Sequence, residues 1–161
     1  MKKSFYLSGL IVILSLTLST YSCTSNDDDG SNNNNNNTQQ IMEIENTAEA
    51  GTWRVSSFVD SGQDETNDFN GYNFTFMANG TLMATNGSNT LNGTWSVTDS
   101  SSSDDSSDDI DFNIFFSVPE DDPFEDLNDD WDVVSYNDNQ ISLIDISGGN
   151  GGTDTLVFQK N

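Results

Sequence analysis

Gly51-Thr52-Trp53-Arg54-Val55 and Gly93-Thr94-Trp95-Ser96-Val97 are two copies of one phrase, Gly-Thr-Trp-x-Val. In each copy Trp and Val stand two residues apart, so a strand puts them on one face and leaves Thr and the intervening polar residue on the other. The phrase reads as a strand with one buried face. On the first strand that face is Trp53, Val55 and, further on, Val59. Between the copies, Tyr72, Phe74 and Phe76 share a face, and so do Leu82 and Ala84. Asn79-Gly80 joins these two runs, a dipeptide that accepts the positive φ angles of a tight hairpin turn. Asn86-Gly87 repeats the device before Leu91, Gly93, Trp95 and Val97.

The same period continues toward the C-terminus. Residues 100–109 are a Ser and Asp run with no apolar member, which reads as an exposed loop. Ile110, Phe112, Ile114, Phe116 and Val118 then alternate strictly, which predicts a strand with Phe115 facing outward. Asp122-Pro123-Phe124-Glu125 places a capping residue before a proline at the first helical position, so a brief helical turn is expected there. Trp131 and Val133 open a sixth strand, on which Tyr136 shares the face of Val134 and implies a bulge. Asn137-Asp138-Asn139 turns the chain into Ile141 and Leu143, residues 147–152 form a pliable Gly-rich loop, and Leu156 with Phe158 marks the last strand. Eight strands at hairpin spacing with no long helix argue for an all-β antiparallel up-and-down meander. Closing such a sheet removes its edges and gives a small eight-stranded β-barrel over residues 48–161.

Before that domain the chain carries appendages. Residues 1–22 have the basic start, short apolar run and small polar residues of a secretory signal, and the run is too short to span a bilayer. Ser19-Thr20-Tyr21-Ser22-Cys23 resembles a bacterial lipobox, departing from it at Thr20, where Leu is usual. The resemblance implies cleavage before Cys23 and diacylation of that residue, which would make it the link to the lipid bilayer of the outer membrane. Thr24-Ser25-Asn26-Asp27-Asp28-Asp29 is similar to the acidic signal that sends lipoproteins of Bacteroidetes-type bacteria to the cell surface; without it, the periplasmic face is the expected side. Residues 23–47, with the Asn tract over 32–37, are too polar to offset the entropy of ordering and are expected to form a tether. Ile41, Met42 and Ile44 break the polarity, as a short helical turn or a plug at the barrel end.

The opening Gly51-Thr52-Trp53, the hairpin at Asn79-Gly80 and the terminal Leu156-Val157-Phe158 resemble the lipocalin-like lipoproteins of the Bacteroidetes. Asn46-Thr47-Ala48-Glu49-Ala50-Gly51-Thr52-Trp53-Arg54, Phe69-Asn70-Gly71-Tyr72 and Ser147-Gly148-Gly149-Asn150-Gly151-Gly152-Thr153-Asp154 are similar to a flavobacterial branch without an assigned activity. The likeness implies a fold and a location more than a task.

Composition narrows the chemistry. Acids number 27 against 4 bases, two of which, Lys2 and Lys3, belong to the leader. Such a polyanion is repelled by nucleic acid and by anionic lipid surfaces, so neither is an expected partner. With no histidine and Cys23 as the one cysteine, His-dependent triads, His-ligated zinc and internal disulfides are excluded. No cofactor is expected apart from Ca2+. Asp60, Asp64, Glu65 and Asp68 cluster in one loop and Asp104, Asp105, Asp108 and Asp109 in another, oxygen donors that suit that hard cation, although neither has EF-hand spacing and a solvated acidic loop explains both. Gly148 to Asp154 narrowly misses the Gly-rich calcium nonapeptide. Asp145, between Ile144 and Ile146, is the one acid placed as a buried catalytic carboxyl would be, and the chain is not expected to be an enzyme.

The inward faces leave two readings open. Tyr72, Phe74, Trp95, Phe112, Phe116 and Tyr136 either line a cavity for a small apolar or amphipathic ligand, which the protein would sequester, or fill the barrel as core. In the second reading the protein is a structural or interaction module that meets a protein, a glycan or Ca2+ through its acidic loops. Neither reading fixes a ligand or an oligomeric state. The lipobox makes its own prediction: Cys23→Ser abolishes incorporation of labelled fatty acid and releases the chain from the membrane fraction, and continued labelling would refute the anchor.

Overall fold

The computed structural model describes residues 33–99, 110–146 and 152–161. The leader, Cys23 and its acidic patch, the acidic run over 100–109 and most of the Gly-rich loop lie outside the described residues. The chain runs α1 (Asn33–Glu49), β1 (Trp53–Asp60), β2 (Gln63–Asp64), the 3-10 turn η1 (Thr66–Phe69), β3 (Asn73–Phe76), β4 (Thr81–Thr85), β5 (Thr90–Asp99), β6 (Ile110–Phe116), the 3-10 turn η2 (Glu125–Leu127), β7 (Asp129–Asn137), β8 (Gln140–Asp145) and β9 (Asp154–Lys160). β2 is a two-residue spur on the end of β1, with Val59 opposite Asp64 and Asp60 opposite Gln63. The other eight strands pair antiparallel in order, and β9 returns to β1 from Trp53 opposite Lys160 to Val59 opposite Thr155. This is the expected closed up-and-down barrel.

The closure is thinnest between β1 and β3, which share the single pair Trp53 and Phe74. The turn η1 fills the rest of that seam. The Glu65 amide donates to the Phe58 carbonyl at 3.0 Å, and the Phe58 amide donates to Thr66 Oγ1 at 2.8 Å. Backbone groups of β1 that face no strand there are thus satisfied.

Both barrel mouths are covered. β1, β4, β6 and β8 start at one mouth, which α1 crosses, burying Ile44 and Ala48 in the same core cluster as the strands. Asn37 Nδ2 donates to Asp99 Oδ1 at 2.9 Å, Tyr136 Oη donates to Glu43 Oε2 at 3.1 Å, and Trp53 Nε1 donates to the Ala48 carbonyl at 2.8 Å. The sequence reading placed residues 33–47 in the tether; they are helix, and the plug expected at Ile41 to Ile44 is part of it. An Asn tract has weak helix propensity, so the helix depends on these tertiary contacts rather than on its own composition. At the opposite mouth Phe69 from η1 and Phe124 and Leu127 from the η2 segment are buried. Asn128 ties that segment to β6, accepting from the Phe116 amide and donating to the Phe116 carbonyl at 3.0 Å.

Two bulges move side chains off the expected faces. A register shift between Val55 and Ser57 turns Phe58 inward, 1% exposed, where a strict period had placed Val59. The bulge expected in β7 is present between Val133 and Ser135, and it pushes Val134 out to 61% exposure. Strand β6 keeps its alternation, with Ile110, Phe112, Ile114 and Phe116 buried and Phe115 outside, while Val118 lies past its end.

The glycines of the repeated phrase are both close-approach positions, of unequal rigidity. A Cβ on Gly93 would strike the Phe115 carbonyl oxygen and come within 2.8 Å of the Phe116 ring, whereas one on Gly51 would meet only the end of the Lys160 side chain, at 2.6 Å. Backbone and packed rings cannot give way as a lysine tip can. Gly93→Ala therefore costs about 1–3 kcal/mol and Gly51→Ala less than ~1 kcal/mol, as read by urea denaturation. Equal losses would contradict the packing described.

Candidate functional site

The six rings proposed to line a cavity are spread from one mouth of the barrel to the other. Tyr72 is half-buried at the η1 mouth, 4.9 Å from Phe124 between ring centroids, and Tyr136 is at the α1 mouth, bonded to Glu43. Burial and that hydrogen bond raise the Tyr136 pKa. Between them, Phe74, Trp95, Phe112 and Phe116 pack against other rings. Phe76 of β3 touches Trp95 of β5 at 5.2 Å, Phe112 of β6 at 5.3 Å and Phe158 of β9 at 5.4 Å, all edge-on. Trp95 stacks on Phe112 at 5.6 Å, Phe74 meets Phe158 at 5.3 Å, and Phe116 meets Phe124 at 5.1 Å. Among the described residues no buried side-chain nitrogen or oxygen lacks a hydrogen-bond partner. The interior presents no polar group held in reserve for a ligand.

The acids proposed for calcium lie on β1, β2 and η1 at one mouth. Asp64 accepts from the Thr66 amide at 3.1 Å, and hydrogen bonds from the Thr66 side chain and backbone hold its carboxyl below the usual range. Burial raises Glu65, helped by the charges of Asp126, Asp60 and Asp68; Asp126 is raised by burial and by Asp60, Glu125, Asp68 and Asp122. Asp60 and Asp68 thus act on the Asp126 carboxyl of η2 by repulsion across the mouth. No group of three or more Asp, Glu, Cys or His among the described residues is arranged to hold a metal ion. Asp154, from the near-nonapeptide, accepts the Ser61 amide at 2.6 Å and pins the turn after β1. Asp145 ends β8 opposite Asp154, and the loop with Asp104, Asp105, Asp108 and Asp109 lies outside the described residues.

A groove of about 560 Å³ lies on the outer face of β5 and β6, a site the sequence did not disclose. Thr94 faces Phe115 and Ser96 faces Asn113 across the two strands, and Glu125, Asn128 and Asp129 from the η2 segment join them in the lining. Phe115 leaves 55% of its surface exposed. Asn113 Nδ2 donates to Thr98 Oγ1 at 2.9 Å, and the Asn128 amide is engaged by Phe116. Burial lifts the Asp129 pKa to about 6, aided by its hydrogen bond with the Asp130 side chain and by the charges of Asp145 and Asp130, against the opposing Asp130 amide. The one sequence signal for the groove is Phe115, an aromatic on the wet face of the most regular strand; its partners come from separate segments.

No family model matches the chain, and no curated protein matches it. Among solved structures it is similar to a DUF4847 family protein from Bacteroides vulgatus ATCC 8482, at 19% identity and a TM-score of 0.45, over 73% of this chain and 97% of that one.

Asp129 makes a pH-dependent prediction. Its carboxyl titrates near pH 4 in the unfolded chain and at about 6 in the fold, so the ionised form disfavours folding. Stability from this group is complete below about pH 4 and is lost as pH rises through about 6. Asp129→Asn should therefore stabilise the protein by ~1 kcal/mol above pH 7, after discounting for solvent screening, and by nothing through this route below pH 4. Urea denaturation at the two pH values checks it; an equal gain at both would assign the effect to something other than ionisation.

Proposed function

We propose that this chain is the binding domain of a lipid-anchored cell-envelope protein, one that makes its contacts on the outside of a filled barrel and performs no chemistry of its own. The supporting observation is Phe76, whose ring meets rings from β5, β6 and β9 at once in the interior. A cavity wide enough for a ligand would hold those walls apart. The satisfied polar atoms of the interior and the covered mouths point the same way. Anchoring rests on the lipobox-like Ser19-Thr20-Tyr21-Ser22-Cys23, and surface display on the acids that follow it. On this reading the lipocalin-like resemblance extends to chain path and location, not to sequestration.

A neutral dye tests the interior, because the formal net charge of −23 would repel an anionic probe. Nile red titrated into the exported Cys23→Ser chain should find no stoichiometric site. Phe112→Ala should lose about 3–5 kcal/mol and open a space that takes up dye. Saturable one-to-one binding by the parent, abolished in Phe112→Ala, would overturn the filled barrel in favour of a sequestering one.

A further inference from the structure

We propose that the groove on the outer face of β5 and β6 receives an arginine side chain from a basic segment of a partner protein. The inference rests on the reading of an outward-binding barrel and names the occupant of one outer site. The groove is rich in acceptors. Glu125 and Asp129 bring carboxylates, Asn113 donates to Thr98 and keeps its amide oxygen as an acceptor, Thr94 and Ser96 supply hydroxyls, and Asn128, bonded to Phe116 through both its oxygen and its nitrogen, forms part of the wall. Phe115 adds an exposed π face. No lysine or arginine lines the groove, and the two bases among the described residues are engaged elsewhere, Arg54 with Gln159 and Lys160 over the Trp53 ring.

An acceptor-rich cleft with an aromatic face in a polyanion is complementary to a delocalised cation with many donors. Guanidinium is planar, stacks on a ring and bonds a carboxylate with two parallel N–H groups. Ammonium has the charge without the planar fork, and a neutral sugar would bring hydroxyl donors but no charge to offset the two carboxylates. The site lies open along the sheet surface, which suits a side chain presented by another protein better than a small molecule that needs enclosure.

The exported Cys23→Ser chain would be titrated by calorimetry with acetyl-Gly-Arg-Gly-Arg-Gly-amide and its lysine and citrulline analogues. Salt would be held near 0.15 M, where the Debye length is ~8 Å and diffuse attraction is screened. The arginine peptide should bind at least about fivefold more tightly than the lysine one, and citrulline should not bind. Phe115→Ala and Asp129→Asn should each weaken binding about tenfold, or ~1.4 kcal/mol. Asp138→Asn, an exposed acid in the turn at the α1 mouth, should change it less than about twofold. If Asp138→Asn costs as much as Asp129→Asn, the attraction is diffuse and the site is refuted; if Phe115→Ala binds normally, the groove is not involved. Binding of maltohexaose in the same groove without arginine binding would overturn the cation and leave the outward-binding reading standing. Stoichiometric Nile red uptake, by contrast, would remove that reading itself.

Discussion

The ring of Phe76 is where the walls of this barrel meet. Eight short strands enclose a space wide enough for side chains or one small ligand, and here rings from β3, β5, β6 and β9 meet in it edge to edge. An aromatic interior has to be sealed from water at both mouths. Each tryptophan marks where that is done, its indole donating to a carbonyl just outside the strands: Trp53 to Ala48 of α1, Trp95 to Met77 at 3.0 Å, and Trp131 to Leu127 of η2 at 3.1 Å. The helix, the turn η2 and the hairpin segment at Met77 to Gly80 are thus the parts that let the aromatic packing end without stranding a polar group.

On the proposed reading, a filled interior moves binding to the exterior. At the η1 and η2 mouth, burial and the charges of neighbouring acids raise the pKa values of Glu65 and Asp126. The groove beside Phe115 differs because it combines carboxylates with an exposed ring in an open cleft. Asp129 ties the two regions together, since Asp145 on the mouth side contributes to the rise of a carboxyl that lines the groove.

The strands were legible because each buries one face, and a period of two leaves its mark on the sequence. Ile110 to Phe116 shows this without interruption, and both Asn-Gly turns are present with Gly80 and Gly87 at positive φ. Phe58 was missed because a bulge adds a residue and breaks the period locally. The helix through the Asn tract was illegible for a different reason: it has little propensity of its own, and Asn37, Ile44 and Ala48 matter only once the barrel gives them something to meet. Phe69 and Leu127 belong to 3-10 turns and Phe124 caps the second, so no alternation marks their buried side. The groove combines two neighbouring strands with a loop, so no single stretch could announce it.

The return of β9 to β1 has a consequence for how the domain can be joined to other chains. Trp53 and Lys160 are register partners, so the first and last strands of the circuit end side by side, with Cα atoms about 5 Å apart. The barrel is nearly a ring in sequence as well as in space. Because α1 leads into Trp53 and covers that mouth, a graft into a host loop, or a polypeptide cut at the Asn86-Gly87 turn and rejoined, has to carry the helix, and its joining linker has to reach the start of α1, about 25 Å of helix away, to preserve every strand pairing.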